Sequence, residues 1–269
     1  MRHIRFVVQG KHPLLYLVRD SLILSGYHLV DWNEDPEFCV WGGLVEPTKA
    51  LEIPVLHLSS SCVYTALDTV LESRPKGLMS EDWPLLIPSS LDLRAWMQAS
   101  YIKSEAAMLC NARHVMVLRP FNVYGPNINH GIVHNLLDQA AHDETLTVLG
   151  SGYEVRSFLH EEDFLTCVKK SIKRLLKLRA GIFNVGNNEE ITLKNLAESI
   201  VQLTGKDLPI EIMYARQRID SWKLADTTRI RAFVRWQPKT TIRRGIWRLL
   251  HDTSDRMGSS TSTLHTLTP

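Results

Sequence analysis

The stretch Gly10-Lys11-His12-Pro13-Leu14-Leu15-Tyr16 follows the first strand-like run of the chain. A loop that cradles a pyrophosphate needs glycines at its turn, where the backbone approaches the phosphates, and where helix packs on strand. At three-residue intervals Gly10 fills the first place, and Pro13 and Tyr16 fill the other two. Pro13 removes an N–H that could face phosphate, and Tyr16 adds bulk. Lys11 remains as a cation for a pyrophosphate. Asp31 lies 21 residues beyond Gly10, at the end of a second short strand. That is near the ~20 residues expected for an acid that holds ribose hydroxyls; a strand-end turn former is the alternative reading.

Other spacings point to less. His130 and His134 stand at i, i+4 near the start of a predicted helix, a usable spacing for a metal face. Only Asp138 offers a third ligand there, so a solvated helix face explains the pair better and no metal is expected. Cys39, Cys62, Cys110 and Cys167 contain no Cys-x-x-Cys pair, which fits buried thiols in a reducing cytosol. No Gly-x-Ser-x-Gly elbow is present, so an esterase triad has no support. From Arg229 to Arg248 the chain carries seven Lys/Arg and no acid, with Trp236 and Trp247 interleaved. Nucleic acid or an acidic partner would suit that run; a helix–loop–helix with a solvated basic face suits it better.

These residues need elements to hold them. The chain has 269 residues, 44% hydrophobic and 22% charged, enough for one large domain or two modest ones. A formal net charge of +2 argues against a protein that coats nucleic acid. No apolar run approaches the roughly 18 residues that span a bilayer. The N-terminus has no signal-peptide layout, so a cytoplasmic protein is expected. Strands are predicted at 3–8, 28–31, 38–41, 54–58 and 114–118, and helices at 14–25 and 92–111, with a proline-bearing loop over 65–91. This alternation predicts a parallel, doubly wound α/β sheet. The second half is expected to hold helices at 131–142, 161–179 and 192–204 and strands at 146–149, 182–185 and 209–213. The expected division is a nucleotide-binding core over 1–125, completed by later segments, a substrate lobe over 126–252 and a disordered Ser/Thr-rich tail over 253–269.

Leu58-Ser59-Ser60-Ser61-Cys62-Val63-Tyr64 and Leu118-Arg119-Pro120-Phe121-Asn122-Val123-Tyr124-Gly125-Pro126 resemble extended short-chain dehydrogenases/reductases. The likeness is strongest to the NAD-dependent nucleotide-sugar epimerase, dehydratase and decarboxylase branch. It continues in order through Val148–Gly152, Arg156–His160 with Asp163, Gly181–Asn187, Ala225–Thr227 and Trp236–Pro238. The resemblance implies a trimmed Rossmann-like parallel sheet with a smaller C-terminal substrate lobe. It implies NAD near Gly10, Lys11 and Asp31, and a UDP- or dTDP-linked sugar held by Asn122, Arg156, Arg216 and Arg218. A guanidinium fork suits diphosphate oxygens. Ser60 and Tyr101 take the catalytic places. A homodimer is implied as well, through the helix that carries the family's tyrosine; here that helix holds Trp96, Met97, Met108 and Leu109, apolar enough for a partner or the core.

The chain departs from that family at the phosphate loop, and in two further ways. Only 22 residues separate Asp31 from Pro54, so at least one βα unit is missing. The family's hydride transfer uses Tyr-x-x-x-Lys on one helix face, where the lysine holds the nicotinamide ribose and lowers the tyrosine pKa. Two registers are open. In one, Tyr101 is the tyrosine and Glu105 stands for the lysine, with Lys103 pointing elsewhere. In the other, Pro88-Ser89-Ser90 leads to Asp92 and Trp96; the 27 residues from Asp92 to Arg119 suit a full helix and turn better than the 18 from Tyr101. Neither register supplies the lysine. Ser60 then reads more readily as a strand-end hydroxyl bonded to backbone. Nucleotide-sugar binding is expected to outlast NAD chemistry, as in a pseudoenzyme-like sensor or a partner subunit of an active homologue. The alternative is an active NAD-dependent epimerase or decarboxylase with a non-standard site.

Overall fold

Strands that are apolar on both faces organise the N-terminal half. On β3 (Phe38–Gly43), Phe38 and Val40 pack into one core cluster and Cys39 and Trp41 into another. Such a strand belongs inside a parallel sheet covered by helices on both sides. In the computed structural model the sheet contains β1 (Arg5–Lys11), β2 (His28–Leu29), β3, β4 (Val55–Leu58), β6 (Val115–Pro120) and β11 (Ala180–Val185). Their spatial order is β11-β6-β4-β3-β1-β2, all parallel. The structure describes residues 4–44, 46–47, 50–64, 78–85, 93–175, 177, 180–214 and 222–257, with only the backbone of 94 and 252–257.

One face of the sheet is covered by α1 (Leu15–Leu24) and α4 (Glu161–Leu175), the other by α2 (Leu93–Asn111). A second core joins α3 (Ile132–Ala141), α5 (Leu193–Thr204) and α7 (Ile242–Met257) to β8 (Leu146–Leu149) and β13 (Ile210–Met213). On α5, Leu193, Leu196, Ala197 and Ile200 form the buried stripe. Thr192 caps its start by accepting the Asn195 N–H at 3.1 Å, and Gly205 ends it in the left-handed region at φ 66°. Short strands β5 (Leu78–Met79), β9 (Val155–Arg156), β12 (Ile191–Thr192) and β14 (Trp222–Ala225) form a sheet in the order β12-β9-β14-β5. β7 (Val123–Tyr124) pairs with β10 (Leu159–His160), and α6 (Thr228–Val234) follows β14.

The trimmed doubly wound sheet predicted from the sequence is present. Its connection from β2 to β3 is a 3-10 turn, Trp32–Glu34, where a helix would complete a βα unit. Two boundaries differ from expectation. β1 does not end at Val8 but runs on to Lys11, because Gly10 and Lys11 pair with Gly42 and Gly43. Gly10 sits at φ 92°, and a Cβ there would strike the Gly42 carbonyl oxygen, so only glycine fits. α7 extends to Met257, into the segment read as tail; 258–269 lie outside the described residues. Among the described residues no helix is long and apolar enough to cross a membrane.

Candidate functional site

β1 has β2 on one side and β3 on the other, so the winding reverses between them. The crevice beyond the carboxyl ends of β1 and β3 is where open α/β sheets bind ligands. Here it holds His12. The imidazole is buried; its Nδ1 accepts the Leu14 N–H at 3.0 Å, and its Nε2 lies 2.9 Å from the Ser59 carbonyl oxygen. An accepting Nδ1 leaves the proton on Nε2, which donates to Ser59. Burial, ahead of every other cause, lowers the His12 pKa to about 4. The ring is therefore neutral at pH 7. The Leu15 N–H donates to the His12 carbonyl at 3.0 Å. Two amides at the start of α1, where a dinucleotide fold aims N–H groups at phosphate, are thus bonded to His12. A Cβ on Gly42 would come within 3.0 Å of the His12 Cβ, so the imidazole and the sheet end are closely fitted.

The neighbouring cofactor residues follow. Tyr16 does not crowd the crevice as expected: it is 64% exposed, with the Arg19 guanidinium 4.8 Å above its ring. Lys11 is exposed at the end of β1. Asp31 opens the 3-10 turn, its N–H donating to Glu34 Oε2 at 2.7 Å.

Beside the crevice lies a cavity of about 340 Å3, whose walls include Ser60, Met97, Tyr101, Asn122, Phe158 and Lys223. Ser60 Oγ accepts the Cys62 N–H at 3.2 Å and stabilises the turn Ser61–Tyr64. Tyr101 packs its ring on Gly43, where a Cβ would lie 2.5 Å from Cε1, and meets His12 edge-on at 5.8 Å. Burial, then Cys62, drives its phenol pKa above the usual tyrosine range. Lys223 borders the same cavity.

Glu105, one turn beyond Tyr101, does not face this cavity. It accepts Arg119 Nη2 at 2.6 Å and Nε at 2.9 Å, and accepts Ser59 Oγ. Arg119 also donates to the Tyr64 hydroxyl at 2.7 Å, and that hydroxyl donates to Asn184 Oδ1 at 2.8 Å. This buried chain ties α2 to β4, β6 and β11. In the other register Trp96 is 59% exposed, and Pro88-Ser89-Ser90 and Asp92 lie outside the described residues. The i, i+4 pair of α2 that does border the cavity is Met97 and Tyr101. Met108 is core, whereas Trp96 and Leu109 are exposed, as is Leu93 at the start of the helix.

On the substrate side, Asn122 borders the cavity with φ 31°, and its Nδ2 donates to the Ser157 carbonyl at 2.8 Å. Arg156 is buried and its Nη1 donates to the Val155 carbonyl at 2.8 Å; its register partner on β14, Lys223, is the one on the cavity wall. Arg216 and Arg218 lie outside the described residues. No group of three His, Cys, Asp or Glu able to hold a metal occurs among the described residues. Sequence reasoning missed His12, Met97 and Lys223. A lysine between the apolar Trp222 and Leu224 was the one signal for Lys223; its register with Arg156 comes from the fold. Met97 carried none.

Comparison with known proteins gives this geometry a context. A profile of the NAD dependent epimerase/dehydratase family matches residues 43–186. UDP-glucuronic acid decarboxylase 5 of Arabidopsis thaliana is 30% identical over 217 residues, 78% of this chain and 60% of that protein. UDP-glucuronic acid decarboxylase 6 of the same plant is 30% identical over 148 residues, 54% of this chain and 42% of that protein. The chain thus spans about half the length of these relatives. Among solved structures, dTDP-glucose 4,6-dehydratase from Bacillus anthracis in complex with NAD covers 95% of this chain and 98% of its own, with 17% identity and a TM-score of 0.72. UDP-glucuronic acid 4-epimerase from Bacillus cereus, in complex with UDP-glucuronic acid and NAD, covers 94% of this chain and 99% of its own, with 15% identity and a TM-score of 0.70.

Proposed function

For a chain that belongs to the NAD dependent epimerase/dehydratase family, in the extended short-chain dehydrogenase/reductase branch, we propose a nucleotide-sugar-binding protein whose NAD-dependent hydride chemistry is lost. The observation that carries this reading is His12. Its neutral imidazole takes the Leu14 amide and spans to Ser59. A pyrophosphate there would have to displace a buried, doubly hydrogen-bonded ring and would meet no positive charge on it. The residues present do not fit a dinucleotide at this crevice.

The proton chemistry points the same way. If the cavity-facing pair defines the register, Met97 stands in the tyrosine place and Tyr101 in the lysine place. A thioether moves no proton. A phenol raised by burial stays protonated at pH 7 and supplies no base. Ser60 acts in the turn. What remains on the cavity wall suits binding: Lys223 is a cation for a phosphate or sugar carboxylate, and Asn122 and Ser61 offer hydrogen-bonding groups. UDP- and dTDP-sugars are the ligand class, from the named relatives and neighbours. The exposed Trp96 and Leu109 of α2 are the surface proposed to pair with a second copy or an active homologue.

Calorimetric titration tests this. UDP-glucuronic acid or dTDP-glucose is expected to bind, and NAD is not. Micromolar NAD binding with no response to any sugar nucleotide would reverse the reading. Retained catalysis is the second reading, favoured by one observation: Lys223 and Tyr101 border one cavity. Turnover of a sugar nucleotide with added NAD, abolished in Lys223→Met, would establish it.

A further inference from the structure

We propose that the groove between α4 and α6 binds a small ligand through a di- or triphosphate group. The groove encloses about 630 Å3 and shares no wall residue with the first cavity. Four cations border it: Lys170 from α4, Arg231 from the last turn of α6, Arg235 at the left-handed end of that helix with φ 51°, and Lys239 from the loop beyond. The one carboxylate among its walls is Asp163, which is 7% exposed. Asp163 Oδ2 already accepts the N–H groups of Lys239 at 3.0 Å and Thr240 at 2.8 Å.

The frame is rigid. Trp236 Nε1 donates to the Asp163 carbonyl at 3.0 Å, so the loop from Arg235 to Thr240 is pinned to α4 by backbone and indole rather than by its charged side chains. Two of the four cations have neutral partners. Lys170 Nζ donates to the Arg235 carbonyl at 2.5 Å, and Arg231 Nη2 to Gln237 Oε1 at 3.0 Å. Among the described residues none of the four is in an ion pair. Four like charges around one concavity repel, and a multiply charged anion relieves that repulsion. Two guanidinium forks and two ammonium groups match the oxygens of linked phosphates better than a single carboxylate. Among the described residues the only aromatic wall, Trp236, is buried, so they offer no face on which nucleic-acid bases could stack.

The test is calorimetric titration of the full chain with inorganic tripolyphosphate, pyrophosphate and orthophosphate at about 0.15 M salt, where exposed charges are screened. Affinity is expected to fall in that order. Arg231→Ala/Arg235→Ala is expected to weaken tripolyphosphate at least tenfold with an unchanged melting temperature. Lys170→Ala/Lys239→Ala serves as a second variant, since the Lys239 backbone that holds Asp163 is untouched. Phosphate entering the first cavity would bind wild type and both variants alike, and that result overturns the proposal. So does failure of the wild type to bind, or a single-stranded RNA that binds more tightly than tripolyphosphate through the same four residues. None of these outcomes depends on whether a sugar nucleotide binds elsewhere.

Discussion

Glu105 and Arg119 meet through two side-by-side contacts, 2.6 and 2.9 Å, with side chains only 3% and 2% exposed. A lysine one turn past Tyr101 would therefore stand against a buried guanidinium rather than beside a cofactor. Glu105→Lys, the change that restores Tyr-x-x-x-Lys on paper, is expected to destabilise the fold by about 3–5 kcal/mol, as breaking a buried pair does. Glu105→Gln should cost less, since an amide can still accept from Arg119. Denaturant unfolding measures both; a Glu105→Lys protein as stable as wild type would refute the structural role.

Removing the His12 ring separates its two effects. His12→Gly frees the Leu14 amide and leaves the Ser59 carbonyl without its donor. Stability is expected to fall by about 1–3 kcal/mol, the cost of an unsatisfied buried group. NAD affinity is expected to rise from undetectable to measurable in calorimetry. Unchanged NAD binding would mean that the ring is not the obstacle.

Acid should weaken the protein through its buried imidazoles. Burial lowers His12 to about 4 and, with a smaller push from His12, lowers His57 to about 3. Well above pH 6.5 both are neutral in the folded and unfolded chain, and their contribution is complete. Below that, the unfolded chain binds protons that the folded one refuses, so stability falls as pH drops from 6.5 toward 4 for His12 and toward 3 for His57. For His12 the full loss is on the order of 3 kcal/mol. Unfolding midpoints across this window should show a shallower slope in His12→Gln than in wild type; parallel slopes would contradict the burial.

Phenol titration reads the cavity directly. Burial raises Tyr64 to about 12 and puts Tyr101 and Tyr124 higher still. At about pH 11, one unit above the ordinary tyrosine value, these three of the seven tyrosines should remain unionised in the folded protein, and Tyr27, also raised by burial, should lag the exposed ones. Phenolate absorbance counts them. A Tyr101→Phe variant that loses a phenol ionising near pH 7 would show instead a tuned acid/base and revive catalysis.

Helix 7 carries a packing test. Gly245 faces the Tyr124 ring, and a Cβ there would collide with its hydroxyl end. Gly245→Ala should destabilise by about 1–3 kcal/mol, the usual effect of overpacking a core, although alanine is the better helix former. A rise in melting temperature would show that Tyr124 moves freely.

Much of the frame was legible in residue order. Phe38-Cys39-Val40-Trp41 is apolar at every position, and only a covered central strand uses both faces. Thr192 and Gly205 bracket α5 by local hydrogen bonding and backbone freedom. Ser60 as a turn hydroxyl and Asp31 at a strand-end turn were also readable, because their partners lie two and three residues away. That Glu105 stands one turn beyond Tyr101 is legible in the residue order.

What pattern could not supply was direction. His12 finds its acceptor 47 residues on, and Arg119 reaches 55 residues back to Tyr64. On α2, periodicity marks several apolar positions but not which stripe meets the turn at Ser61 and which meets solvent; packing placed Met97 and Tyr101 on the cavity and turned Trp96 out. Local propensity depends on neighbours a few residues apart, so the chain by itself determined its strands and helices. The identity of the groups around the cavity depends on strand ends brought together from across the chain, and only the folded sheet decided it.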